Sequence, residues 1–583
     1  MAGVTTDGPG DAGRVGAETA GATGGPGSAG GTGLVGGAEA AGGADLPGGP
    51  GLPGRAGGAR TVSLGDLLPP PGGELCVHAA GRDHSRTEVR ARVDEVARAL
   101  GDAGVVAGAP VGVLLPSGAD AVAALFAVWR AGGVHVPLNP RFTDTELTRV
   151  LGQVGAAAVV TTPTLASRVA DRSTVVLDGA TVRAVPRGHG FRPAESEAIG
   201  RAYGTHDLDP PGTAPVASAD RPGRRDPGDP GEPGDAGGGR GAVRHGTGVA
   251  LVSFTSGTTG PPTPVPLLHA QVLEGLDQVL GTLRSRPGGG PPMPNLVPVS
   301  LSLWAGIYQV LFAFRAGAPV VLMDGFDTAA FAGLVRRFAI RSTVLPPAAM
   351  VMLADDERID ELAPLRYVRS ISSPLSPLQA RRFRDRFGVR VLNGYGQTEL
   401  GGEVVGWSAA DSEVFGDAKL GSVGRPHAGV EVDVVAGSGE LLVRIPGRTD
   451  GWHRTGDVAR IDEDGFVWIE GRVSDMVNRG GLKVHPVEVE EVLRLSPAVA
   501  DAAVVGVPDD RLGEVPVAFV VPAVRAGGPA PAGGTGPAAQ VDDAELEALC
   551  RRHLAPYKVP VRFRAVDALP RNEAGKLLRR ELG

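Results

Sequence analysis

Residues 255–260 read Thr255, Ser256, Gly257, Thr258, Thr259, Gly260: four hydroxyl side chains and two glycines in six positions. Backbone N–H groups of such a loop can line a concavity for an anion, and the hydroxyls add further donors. That chemistry suits phosphate. The same residues also make an ordinary turn, and a Gly-x-x-Gly carries little weight in a chain with 90 glycines. It is not a Walker A loop, because no Gly-Lys-[Ser/Thr] follows. No lysine stands beside it at all; the chain continues "GPPTP", with Thr263 fourth in that run. An apolar run, "GVALVSF", precedes the loop, and "PLLHAQVLEGLDQVL" follows it.

The elements around this loop alternate. Residues 87–105, "TEVRARVDEVARALGDAGV", space their apolar side chains as a helix does and end at glycine. "APVGVLLPSG" reads as a short buried strand, and "ADAVAALFAVWRAGGVHVPLN" as a helix running through a glycine pair into a strand. "DTELTRVLGQVGAAAVVT" repeats the pattern, which resumes through residues 318–396. Such alternation predicts parallel strands covered on both faces. From about 417 short strands and turns take over, and from about 474 a block of helices and strands reads as a small α+β domain.

Composition sets the limits. Glycine (90) and proline (50) make up about a quarter of 583 residues. Much of the excess lies in residues 1–60 and 205–247, which lack the large apolar side chains needed to offset chain entropy. They are read as a disordered tail and a disordered insertion loop. Net charge is −8 without a basic block, which argues against nucleic acid. Two cysteines, Cys76 and Cys550, exclude a disulfide framework. With no signal-like N-terminus and no long apolar run, the expectation is a cytoplasmic protein with no membrane span.

Six motifs occur in order: "TSGTTG" (255–260), "NGYGQTE" (393–399), "GSVGRP" (421–426), "WHRTGD" (452–457), "GRVSDMVNRGGLKVHPVEVE" (471–490) and "LPRNEAGKLLRREL" (569–582). Together they resemble the adenylate-forming superfamily of acyl-CoA synthetases, peptide-synthetase adenylation domains and luciferases, over roughly residues 62–583. The resemblance implies an α/β fold. A large N-terminal domain (61–473) would hold stacked α/β subdomains and a distorted β-barrel-like part, followed by a small mobile C-terminal domain (474–583). It also implies ATP, Mg²⁺ and coenzyme A. A carboxylate joins ATP to give acyl-AMP and pyrophosphate, and the acyl group then passes to a thiol.

Carried over residue by residue, Lys576, Glu399 and Thr398 become the catalytic group. Glu399 would hold Mg²⁺, Thr398 would donate to a phosphate oxygen, and Lys576 would bridge the substrate carboxylate and the α-phosphate. Thr255 to Gly260 would hold the phosphates. Tyr395, beside Gly396, would stack on adenine, and Asp457 and Arg472 would reach the ribose hydroxyls. Ser372 and Ser373 fall where the family has a Gly/Ala-Pro segment along the adenine. Lys483 would be a weaker phosphate contact, or simply a surface charge. The family's hinge position falls at Ser474, and Gly480 and Gly481 would leave room for the pantetheine arm.

Where the family's loop usually carries a lysine and a glycine, this chain has Thr263 and Pro264. A lost charge-assisted hydrogen bond is worth roughly 1.5–3 kcal/mol, about 10- to 100-fold in rate or affinity. The residues "NLVPVSLSLWAGIYQVLFAF" fall where the family builds its acyl pocket, with Trp304 either lining it or in the core, and "ELGGEVVGW" as the far wall. No basic residue is obviously placed for a second carboxylate, so the expected substrate is an apolar acid, fatty or aryl. Seven residues follow Lys576, which favours free coenzyme A as acceptor. A separate carrier protein is the alternative partner. A nucleotide- or acyl-binding homologue impaired at Thr263 is the other alternative.

Overall fold

The computed structural model describes residues 63–187, 245–246, 248–255, 263–281, 292–371, 373–523, 541–572 and 576–582. The tail read at 1–60, nearly all of the insertion read at 205–247, the loop 256–262, the side chain of Thr255 and Ser372 lie outside the described residues. Among the described residues the protein is a mixed α/β fold of five sheets, and the C-terminal one carries its own apolar core.

The largest sheet has seven strands. In spatial order they are Thr181–Val185, Ser173–Asp178, Ala158–Thr161, Pro110–Leu114, Val134–Pro137, Val249–Thr255 and Thr263–Leu268. The inner five are parallel, as the helix–strand alternation predicts, but both outer strands are antiparallel hairpin partners. At the Thr181–Val185 edge the all-parallel expectation fails for a local reason. Asp178 and Thr181 are joined by a two-residue turn containing Gly179 at φ +54°, which returns the chain at once.

The helices start where their caps are. Ser85 and Glu88 form a reciprocal capping box at Arg86–Asp102, and Thr143 and Glu146 do the same at Asp144–Val154. The helix Ala119–Arg130 is buried from Ala121 through Trp129, so it lies inside the core. From it Trp129 Nε1 donates to the Ala250 carbonyl at 2.7 Å, tying the core to the strand that leads into the Thr/Ser/Gly loop.

A second mixed sheet runs Ser342–Leu345, Tyr367–Ser370, Arg390–Gln397, Gly402–Gly406, Arg425–Pro426, parallel across its first three strands and antiparallel after. The part read as barrel-like is an antiparallel meander of Glu431–Val434, Glu440–Arg444, His453–Ile461 and Val467–Arg472. The C-terminal sheet packs the helices Pro486–Leu493 and Asp543–His553 over Val499–Asp509 and Gly513–Pro522. A cleft of about 1880 Å³ opens where the second sheet, the meander and the C-terminal segment meet.

Candidate active site

The strand Arg390–Gln397 and its antiparallel partner Gly402–Gly406 approach so closely that a Cβ on Gly396 would sit 2.0 Å from the Gly402 carbonyl oxygen. Only glycine fits there. The connection is a single turn, Thr398–Leu400, followed by Gly401 and Gly402 at positive φ. The register slips between Tyr395 and Gly396, so the hairpin carries a bulge. As a result Tyr395 faces the meander, while Thr398 and the exposed Glu399 line the cleft.

Asp457 is the hub. It stands opposite Arg472 in the ladder of the meander's last two strands, and Arg472 Nε donates to its Oδ1 at 2.9 Å. Tyr395 Oη donates to Oδ2 at 2.6 Å, and Gln397 Nε2 donates to the same oxygen at 2.8 Å. Gln397 also donates to the Thr455 carbonyl at 2.8 Å, and its Oε1 accepts from His453 Nε2 at 3.1 Å. Asp457 is 5% exposed, so these partners replace the water shell of its carboxylate. With two partners on Oδ2 and one on Oδ1, it keeps acceptor capacity on Oδ1. Burial and the neighbouring Asp457 charge both raise the Tyr395 pKa, which keeps that hydroxyl a donor.

Lys576 comes from the other end of the chain. Its N–H donates to Asn572 Oδ1 at 2.8 Å, Asn572 N–H donates back to the Lys576 carbonyl at 2.9 Å, and Arg571 pairs with Leu577. These paired bonds between Asn572 and Lys576 explain the Asn in "RNEAGK". The ammonium lines the cleft within electrostatic reach of Arg472, Asp457, Asp475 and Glu399. Burial, then Arg472, lowers its pKa from the ordinary lysine value, against the pull of the three carboxylates. Glu399 has no hydrogen bond or ion pair among the described residues. Nor do those residues contain a cluster of three or more His, Cys, Asp or Glu that could hold a metal. A lone exposed carboxylate suits Mg²⁺, which keeps several waters and takes one or two carboxylates beside substrate phosphates.

Tyr395, Gly396, Thr398, Glu399, Asp457, Arg472, Lys576 and Ser373 therefore share one cleft. Gly481 and Lys483 do not. Gly480 and Gly481, both at positive φ, form the turn between Val477–Arg479 and Leu482–Val484, and the exposed Lys483 Nζ donates to the Gly437 carbonyl at 2.8 Å. Thr263 is not in a loop but pairs with Thr255 at the start of an edge strand, which places Pro264 within that strand. Trp304 lines the cleft, edge-on to Tyr308 at 5.6 Å.

Sequence reasoning missed Gln397 and His453, although both lie inside quoted motifs. It also missed Arg369 and Glu403 on the cleft wall, where no basic residue was expected. They lie 34 positions apart and meet only through sheet pairing, so no local spacing announces them.

The AMP-binding enzyme family matches residues 70–452, and the AMP-binding enzyme C-terminal domain matches residues 488–576. The chain belongs to this family, the adenylate-forming, acyl-CoA synthetase-like superfamily. It is 32% identical to a 3-[(3aS,4S,7aS)-7a-methyl-1,5-dioxo-octahydro-1H-inden-4-yl]propanoyl:CoA ligase of Mycobacterium tuberculosis, over 87% of this chain and 95% of the relative. It is 28% identical to the fatty acid–[acyl-carrier-protein] ligase ScoC of Streptomyces coeruleorubidus, over 86% and 91%. Among solved structures it resembles the amide bond synthetase McbA of Marinactinospora thermotolerans, with TM-score 0.68 and 26% identity over 89% of this chain and 98% of that one. Among the described residues no helix is long and apolar enough to cross a membrane.

Proposed function

We propose that the protein is an ATP-dependent acid–thiol ligase that converts a carboxylic acid to acyl-AMP and pyrophosphate, then transfers the acyl group to coenzyme A. The observation that carries this reading is the delivery of Lys576 into the cleft that already holds Asp457, Arg472 and Glu399. In the first step a carboxylate oxygen forms a bond to the α-phosphorus while the bond to the pyrophosphate oxygen breaks. Charge accumulates on the phosphoryl oxygens, and the half-buried Lys576 ammonium that lines the cleft would favour the transition state over the ground state. Bound Mg²⁺ would supply further neutralisation, with Glu399 as its protein ligand. Arg472 and the free capacity on Asp457 Oδ1 would fix the ribose, and the bonded Tyr395 ring would flank the adenine. Residues 255–260 would hold the outer phosphates. In the second step the thiolate sulfur adds to the acyl carbon and AMP leaves.

The domains would be 61–473 and 474–583, with a hinge at Ser474 and a second arrangement that turns Gly480 and Gly481 toward the thiol. Three relatives with three acceptor chemistries show that the family's acceptors differ, so coenzyme A rests on the CoA-ligase relative, and loading of a carrier protein is the second reading. Acid-dependent pyrophosphate release with Mg-ATP, across fatty and aryl acids and with or without coenzyme A, tests the reading. Lys576→Ala should lower release by about 100-fold or more. Tight ATP binding with no release for any acid would leave an impaired binding protein instead.

A further inference from the structure

Glu399 stands on a turn with little to hold it in place. Thr398–Leu400 is a single turn, closed by one bond from the Gly401 N–H to the Thr398 carbonyl at 2.9 Å. Gly401 and Gly402 follow at φ +78° and +145°. Two successive glycines leave the backbone many conformations, so the turn's own residues do not fix where the Glu399 carboxylate stands. The fixing must come from outside.

It comes from Arg448. This residue sits just past the meander strand Glu440–Arg444, on a tight turn in which its own N–H and that of Thr449 donate to the Ile445 carbonyl at 2.9 and 3.0 Å. The Ile445 N–H donates to Thr449 Oγ1 at 3.0 Å, which closes the turn. From there the half-buried guanidinium reaches two other elements. Its Nη2 donates to the Leu400 carbonyl at 2.6 Å, and its Nη1 donates to Gln278 Oε1 at 3.3 Å, on the helix His269–Gly281. Two glycines make the slot it occupies. A Cβ on Gly401 would stand 2.9 Å from Nη2, and one on Gly275 would stand 3.6 Å from it. One side chain therefore ties the Glu399 turn both to that helix and to the meander that carries Asp457.

Both acceptors of this guanidinium are neutral. Burial lowers its pKa, against the Glu274 charge and Tyr308. Half-burying a charge on neutral acceptors costs free energy, and a neutral side chain of similar length could fill the slot. What the guanidinium adds is a charge-assisted bond to the carbonyl next to Glu399. We infer that Arg448 is a positioning residue for the metal: by holding Leu400 it fixes the Glu399 carboxylate where Mg²⁺ on the ATP phosphates would meet it. Arg448 is not among the residues lining the cleft, so it acts through the turn. The inference rests on the ligase reading above, in which Glu399 is the Mg²⁺ ligand, and adds the residue that aims it.

The test is calorimetric binding of ATP to the full chain, once with excess Mg²⁺ and once with EDTA. The ratio of the two affinities reads the metal's contribution and needs no turnover. Arg448→Met should lower that ratio by about 5- to 10-fold while the metal-free affinity stays within about twofold. Arg448→Lys, which keeps a charged donor, should recover most of it. Glu399→Gln should lower the ratio as well, and adding Arg448→Met to it should lower it no further, because the two act as one unit. Arg448→Gln carries the same comparison if Arg448→Met does not melt cooperatively. Equal losses with and without metal would make Arg448 a structural support only. An unchanged ratio, or additive losses in the double variant, would also overturn the inference. So would a native ATP affinity that ignores Mg²⁺, and the ligase reading would then stand or fall on pyrophosphate release alone. A ratio lost in Arg448→Met with no acid-dependent release would support the positioning role while sinking the ligase.

Discussion

At the scale of single residues, the site depends on how few partners each charge has. Asp457 is buried with three donors, so Tyr395→Phe removes one and leaves the carboxylate under-solvated. That should cost about 1–3 kcal/mol, read as a lower urea midpoint together with weaker ATP binding. An unchanged midpoint would mean that water replaces the hydroxyl. Lys576 has the opposite problem: burial and Arg472 disfavour its charge. Because the protonated form is the active one, kcat/KM should fall as pH rises through a pKa below the ordinary 10.5 of lysine. Lys576→Arg, whose guanidinium stays charged, should move that alkaline limb upward; a limb that stays put would assign it to another group. Restoring a cation by Thr263→Lys should raise kcat/KM for ATP by about 10- to 100-fold, and no gain would show that the edge-strand position holds the side chain away from phosphate.

At the scale of elements, the hairpin of Arg390–Gln397 and Gly402–Gly406 sets the geometry. Gly396→Ala should cost about 3 kcal/mol, because the new methyl meets backbone rather than a movable side chain. A melting temperature within a degree of the native value would refute that. Contrasts in this hairpin also explain what could be read from sequence. The Tyr-Gly-x-Thr-Glu run was legible because a bulged, tightly paired turn restricts residue type at fixed spacing. The helices were legible for a similar reason, since Ser85–Glu88 and Thr143–Glu146 announce their starts. Arg369 and Glu403 were not, because an isolated Arg or Glu in a short strand looks like a solvent-facing residue until the sheet brings the two together. The antiparallel edge at Thr181–Val185 was hidden too, since its two-residue turn leaves little room for a signal in so glycine-rich a chain.

At the scale of the whole molecule, the seven-stranded sheet ends on Thr263–Leu268, with Pro264 and Pro266 in its outermost strand. Pro264 stands at the position where the family's loop usually has glycine. Its place in the fold adds another consequence. An open sheet edge is a template on which a second chain can add a strand, and a residue without an N–H withholds half of the bonding that such addition needs. The Pro264 departure from the family pattern therefore withholds an N–H from any strand that would add at this edge. A Pro264→Gly, Pro266→Val double variant should gain mass in light scattering at concentrations where the native chain stays unchanged.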